Sequence, residues 1–266
     1  MSERPSRVTR KQRESERGPS GPAEGQERET SSETSDETPL SIRHPAEATA
    51  GGVVVVQEAF GVTEHIEDVC QRLADADWLA VAPHLFHRTG DPVLDDTDYD
   101  SVRPHMAALT AEGIAADVDT ALEYIAGAGF PPEAAGIVGF CMGGSVALAT
   151  GVRRQLGAAV TFYGGGVSQG RFGYPPLLEL APDLRTPWLG LFGDRDPSIP
   201  VEDVEALAAA AARAPVPTEV ERYADAGHGF HRDGGAAYQA ESAADAWRRT
   251  LDWFARHLST GTADIV

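Results

Sequence analysis

Cys141 stands at the centre of Gly139-Phe140-Cys141-Met142-Gly143, between the β-type run Gly136-Ile137-Val138 and an alanine-rich helical stretch. A strand that turns sharply into a helix pushes the central residue of such a pentapeptide out above the sheet, and the flanking glycines relieve crowding. The helix that follows aims its free N–H groups and positive dipole end at the sulfur, which favours thiolate over thiol. Attack on a carbonyl also needs a base, and an acid to orient that base. Phe192-Gly193-Asp194-Arg195-Asp196-Pro197 offers Asp194 or Asp196 as the acid, and Asp225-Ala226-Gly227-His228-Gly229-Phe230 offers His228 as the base. Glycines on both sides of His228 mark an exposed loop tip rather than a core position. Cys141 alone could equally be a small buried apolar residue; the series nucleophile, acid, base along the chain is what gives it chemistry.

Such groups need a rigid frame, and from Gly51 onward the chain alternates apolar β-type runs with amphipathic helical patterns, the signature of a mostly parallel sheet covered on both faces. The pattern predicts strands over Val53–Gln57, Leu79–Ala82, the run ending at Phe140, Ala158–Tyr163, Trp188–Phe192 and Thr218–Tyr223. It predicts helices over Glu64–Ala76, Met106–Ala126, the stretch after Cys141, Val201–Arg213 and Ala236–His257, with loops around Gly90–Asp100 and Gly164–Pro187. Glu58, Cys141, Asp196 and His228 each fall just after a predicted strand, so one end of one sheet would hold all four.

Residues 1–40 are rich in Ser, Glu, Arg, Thr and Gly with almost nothing to bury, which predicts a disordered polar extension ahead of a domain over 41–259 and a short tail at 260–266. With 266 residues, one large α/β domain is the default. A formal net charge of −19 argues against a nucleic-acid groove and against an anionic membrane surface. No apolar run is long enough to span a membrane, and the N-terminus lacks the apolar core of a secretory signal. Lys11 is the only lysine, so Schiff-base, pyridoxal-phosphate and phosphate-loop chemistry lack their central residue. Two cysteines, Cys70 and Cys141, suggest no disulfide framework, and a functional thiolate points to the reducing cytoplasm.

Several short motifs in order carry a family resemblance: Gln57-Glu58-Ala59-Phe60-Gly61-Val62, the Gly139 to Gly144 turn with its double glycine, the Asp196 turn, and Ala226-Gly227-His228-Gly229-Phe230. From about Gly52 to the end of the last helix the chain resembles the dienelactone hydrolase family, α/β-hydrolases with a cysteine nucleophile that open unsaturated lactones. The resemblance implies a three-layer α/β-hydrolase fold with a mostly parallel central sheet and helices on both faces. It also implies Cys141 as nucleophile, His228 as base and Asp196 in preference to Asp194 as acid. Glu58 would contact the nucleophile and help generate the thiolate when substrate binds, and the backbone N–H groups of Ala59 and Met142 would form the oxyanion hole. Arg232 matches one of two arginines expected to bind a substrate carboxylate; Tyr99 falls near the place of the second, with Arg103 one helical turn further on. Only about Pro39 to Pro45 stands where the family has its earliest strands, so an edge of the sheet would be shortened or paired with another subunit.

The expected activity is hydrolysis of a lactone or small carboxylic ester, with a general esterase or thioesterase, or a non-catalytic binding or stress-related member, as alternatives. The expected partner is that small molecule, with no nucleic acid or membrane, and the protein a monomer or homodimer. The two H-x-x-H strings, His84 to His87 and His228 to His231, lack a helix bearing a glutamate base, so no metal is expected, and no motif implies a cofactor. Cys70, on an amphipathic helix, reads as structural.

Overall fold

The computed structural model describes residues 37–46 and 50–258; most of the expected extension over 1–40, and the tail at 260–266, lie outside the described residues. The elements run β1 (Leu40–Arg43), β2 (Gly51–Val56), α1 (Glu64–Ala74), β3 (Trp78–Pro83), α2 (Tyr99–Ala107), α3 (Ala111–Gly127), β4 (Ala135–Phe140), α4 (Met142–Arg153), β5 (Ala158–Phe162), α5 (Leu177–Leu180), β6 (Trp188–Gly193), α6 (Val201–Ala211), β7 (Thr218–Tyr223) and α7 (Ala240–His257). Among the described residues, seven strands form one sheet in the order β1-β3-β2-β4-β5-β6-β7. Every pairing is parallel except that of β1 with β3.

Every residue of β2, β3, β4, β5 and β6 is buried, which is why these strands read as unbroken apolar runs and not as alternations. The two faces are visible at β4. On one side a side chain at Gly136 would meet Phe254 of α7, and Phe140 lies edge-on to His65 of α1. On the other, Ile125 of α3 fills the space that a side chain at Gly52 would need, and α4 packs on the same side, tied to α3 by Arg153 and Asp119 at 2.7 Å. Sheet and helices form three layers.

Three local expectations need correction. The predicted helix over Met106–Ala126 is two helices, because Thr110 is extended and its hydroxyl accepts a hydrogen bond from the Gly113 N–H, capping α3 and ending the previous turn. The predicted start of the last helix at Ala236 moves to Ala240, after a run of turns. The polar extension also stops short of residue 40: Leu40 already opens β1, and Thr38 is buried with its hydroxyl donating to the fully buried Asp117 at 2.7 Å. Four residues with half-buried side chains thus complete the sheet edge at which the family's earliest strands were expected to be lacking. Ser41 and Arg43 fasten it to Glu67 of α1 at 2.7 and 2.5 Å.

The turn from β4 into α4 is where packing is tightest. A Cβ at Gly139 would lie 1.9 Å from the Gly143 carbonyl oxygen, and one at Gly143 would lie 2.4 Å from the Val56 oxygen and 2.6 Å from that of Gln57. Those glycines let the start of α4 rest on the end of β2, beside the segment that carries Glu58 and Ala59.

Candidate active site

Five neighbouring parallel strands each deliver one residue at the carboxyl end of the sheet: Glu58 after β2, Cys141 after β4, Tyr163 after β5, Asp196 after β6 and His228 after β7. Cys141 occupies the turn itself with φ 54° and ψ −116°, a conformation that costs a non-glycine residue about 1–3 kcal/mol and persists only where the surroundings impose it. Its own N–H donates to the Phe162 oxygen at 3.1 Å, and its carbonyl accepts from the Gly144 N–H at 3.0 Å, so the strained backbone is held on both sides. Met142 is the first residue of α4, and its N–H belongs to the first turn, where no intrahelical acceptor exists.

His228 Nδ1 lies 2.6 Å from Asp196 Oδ2 and 3.4 Å from Ser198 Oγ, and the Cys141 sulfur is near enough to act on the charge of the ring. With Nδ1 taken by the carboxylate, Nε2 is the atom left for sulfur. Burial works against a charged imidazole, but the hydrogen bonds and charges of Asp196 and Cys141 outweigh it and raise His228 to about 10. Burial alone would raise the Asp196 carboxyl too; the bond from His228, with those from the Ser198 hydroxyl and N–H at 2.6 and 2.8 Å, brings it below the usual carboxylate range. Asp194 turns elsewhere and pairs with Arg222 at 2.7 and 3.0 Å.

Glu58 is buried beside this group. Its Oε1 accepts from the Tyr163 hydroxyl at 3.2 Å, and its Oε2 has no hydrogen bond, with Arg232 Nη1 at 3.9 Å. Burial pushes the Glu58 carboxyl up, against the pull of Arg232, of His228 and of the Tyr163 bond. Its hydrogen bond therefore goes to Tyr163 and not to the Cys141 sulfur. Arg232 lies 5.2 Å above the centroid of the Phe60 ring and forms an ion pair with Asp96. Arg103 is not brought to this group: its side chain is 78% exposed and reaches Asp100 at 3.3 Å. Tyr99, whose ring is 6.1 Å from that of Phe60, stands at the start of α2, and one helical turn, about 6 Å, carries Arg103 onward into solvent.

Tyr163, Ser198 and Asp96 complete the arrangement without a strong signal in the sequence. Three glycines after Tyr163 hint at a strained strand end, and its φ is 39°. Ser198, two residues beyond Asp196, fits an Asx-type turn. Among the described residues no group of three or more His, Cys, Asp or Glu side chains could hold a metal ion. His84 instead meets Asp91 at 2.7 Å and His87 meets Asp117 at 3.1 Å. Cys70 lies in the core, where burial pushes its thiol up to about 12. A separate cleft of about 390 Å³ between β6, β7 and α7 shares no residue with this group. No helix among the described residues is long and apolar enough to cross a membrane.

Behind Phe140 two further histidines, His65 and His231, stand 5.6 Å apart between ring centroids, with all four ring nitrogens buried and without hydrogen bonds. Burial lowers His65 to about 4 and His231 to about 3, the latter helped by repulsion from His65 and Arg72. Since the ordinary value is 6.5, the unfolded chain binds more protons than the folded one between about pH 4 and 6.5, and stability falls as the solution is acidified through that window. The slope reaches about 1.4 kcal/mol per pH unit for each histidine. His228 adds almost nothing below about pH 5.5, where its raised folded value and its ordinary unfolded value both leave it protonated. Urea unfolding at pH 4.5 to 7 should show a shallower slope, by about 1 kcal/mol per pH unit, in His231→Phe than in the wild type. Equal slopes would remove the pair as the cause.

A sheet of this order with a nucleophile-type turn after its central strand, and an acid and a histidine after the next strands, defines an α/β-hydrolase. Residues 41–258 match the dienelactone hydrolase family, and the chain belongs to it. It is 39% identical over 230 residues to a Yersinia pestis protein named "Putative carboxymethylenebutenolidase", covering 84% of this chain and 85% of that one. A Pseudomonas putida protein named "Carboxymethylenebutenolidase" is 28% identical over 219 residues, covering 80% of this chain and 89% of its own. Among solved structures, "Putative Dienelactone Hydrolase" from Klebsiella pneumoniae superposes with a TM-score of 0.75 at 36% identity, covering 82% of this chain and 93% of that chain. The protein is a hydrolase of the dienelactone hydrolase type.

Proposed function

We propose that the chain hydrolyses lactones or small carboxylic esters through an acyl-enzyme on Cys141, with His228 as the proton carrier and Asp196 as the group that orients it. The observation that carries this reading is the 2.6 Å contact between Asp196 and the His228 ring, on whose charge the Cys141 sulfur also acts. Cys141 gives its proton to His228 as the sulfur attacks the carbonyl carbon, and the C–S bond forms as the carbonyl electrons move onto oxygen. The N–H groups of Met142 and Ala59 receive that oxyanion; losing one such donor costs roughly 10²- to 10³-fold in rate. As the tetrahedral centre collapses the C–O bond breaks, and the proton on His228 goes to the departing oxygen. Water then attacks the thioester, His228 takes its proton, and the carboxylic acid leaves as the thiol is restored.

Glu58 is assigned the family role of tuning Cys141 when substrate arrives. At rest its hydrogen bond is with Tyr163, so that role requires the side chain to turn. Arg232 is the proposed substrate-facing cation. The exposure of Arg103 favours a broad range of esters over a strictly carboxylate-bearing lactone. A free cysteine nucleophile of this kind suits the reducing cytoplasm.

Rapid mixing with 4-nitrophenyl acetate is expected to release a burst of about one nitrophenolate per chain, then slower turnover, with a dienelactone hydrolysed alongside. Turnover that persists undiminished after iodoacetamide has alkylated Cys141 would remove the cysteine from the mechanism.

A further inference from the structure

The cation that faces the candidate site is already engaged. The Arg232 guanidinium lies over the ring of Phe60, the residue next to the proposed oxyanion donor Ala59, and is ion-paired with Asp96 from the loop that precedes α2. Glu58 Oε2 stands 3.9 Å away on its other side, and the exposed Asp95 also feels its charge. One arginine therefore meets two carboxyl groups, Asp96 and Glu58, and acts at longer range on a third, Asp95. Arg103 does not share the load, since it points into solvent and pairs with Asp100, and His228 is the other cation that acts on Glu58. Asp96 presents to Arg232 the same group that an anionic substrate would have to present, at the same guanidinium.

We propose that Asp96 is a specificity-determining residue: by pairing with Arg232 it makes the site select uncharged esters and lactones over those whose acyl part bears a carboxylate. This rests on the hydrolase reading given above and adds the substrate class. An anionic acyl chain reaching Arg232 must displace Asp96 and then lie beside its freed charge, and like charges brought together in a partly desolvated site are disfavoured. A neutral acyl chain meets only the Phe60 ring and a closed ion pair.

The test compares 4-nitrophenyl butyrate with 4-nitrophenyl hemisuccinate, two esters with acyl chains of equal length of which the second carries a terminal carboxylate. The wild type is expected to favour butyrate in kcat/KM by about tenfold or more. Asp96→Asn should shift the ratio toward hemisuccinate by about tenfold, and the shift should vanish in Asp96→Asn combined with Arg232→Gln. Asp96→Ser, on the same exposed loop, should move the ratio the same way, which separates the charge effect from a fault particular to one variant. A wild type that takes both esters equally, or a ratio that does not move in either variant while Cys141-dependent turnover of butyrate continues, overturns the Asp96 assignment and leaves the hydrolase reading standing. Turnover of neither ester overturns both.

Discussion

Cys141→Ala is expected to lower kcat/KM toward every ester by on the order of 10⁴-fold or more while leaving the fold as it is. The substitution keeps the Cβ, so the strain at φ 54° is unchanged, and both backbone hydrogen bonds that hold the turn, to Phe162 and from Gly144, remain. What disappears is the sulfur, the atom that carries the acyl group in the proposed mechanism. Its removal also strips His228 of a partner that raises it toward 10, so the ring should titrate at lower pH in the variant. Kinetics and a thermal melt on the same preparation separate the two effects. Activity within tenfold of the wild type, with an unchanged melting temperature, would exclude Cys141 as the nucleophile.

Asp196→Asn should cost on the order of 10³- to 10⁴-fold in kcat, with little change in the melting temperature. An amide in place of the carboxylate presents a different pattern of donors to His228 Nδ1 and to the Ser198 hydroxyl, so the ring loses both its charge partner and the bond that fixes its tautomer. Asp194→Asn is the matched control. That residue lies two positions earlier on the same turn, but its carboxylate is committed to Arg222, which points its effect toward the β7 edge and away from the histidine. Loss of activity in the Asp194 variant and not in the Asp196 variant would reverse the assignment.

The frame of the site was legible from residue patterns for a definite reason. Buried parallel strands are continuous apolar runs, and glycines must stand where α4 approaches the end of β2, so the spacing of Gly139, Cys141 and Gly143 is itself the mark of the turn. The order of acid and histidine after it follows from chain direction in the same sheet. Less visible were features set by only a few residues or by contacts across the fold. β1 has four half-buried residues and borders a polar segment, so no periodicity lifts it above its surroundings. Thr110 breaks a helical pattern that the surrounding alanines would otherwise extend. The Tyr163 bond to Glu58 spans 105 positions in sequence, and the pairing of Asp96 with Arg232 joins two loops; neither has a local signature. Arg103 shows the converse, a residue type suited to the task that a single turn of helix places in solvent.

The position of β7 at the rim of the sheet has a further consequence. His228 follows this strand, which among the described residues is outermost, paired on one side only and has mostly half-exposed side chains, whereas Cys141 follows β4 with a neighbour on each side. Rim elements open by local fluctuations that cost far less free energy than melting the whole domain. Cys141 and His228 therefore belong to regions of unequal persistence, and warming or mild denaturant is expected to separate them while the interior is still ordered. Under the proposed mechanism, loss of function is expected to begin as a fraying event.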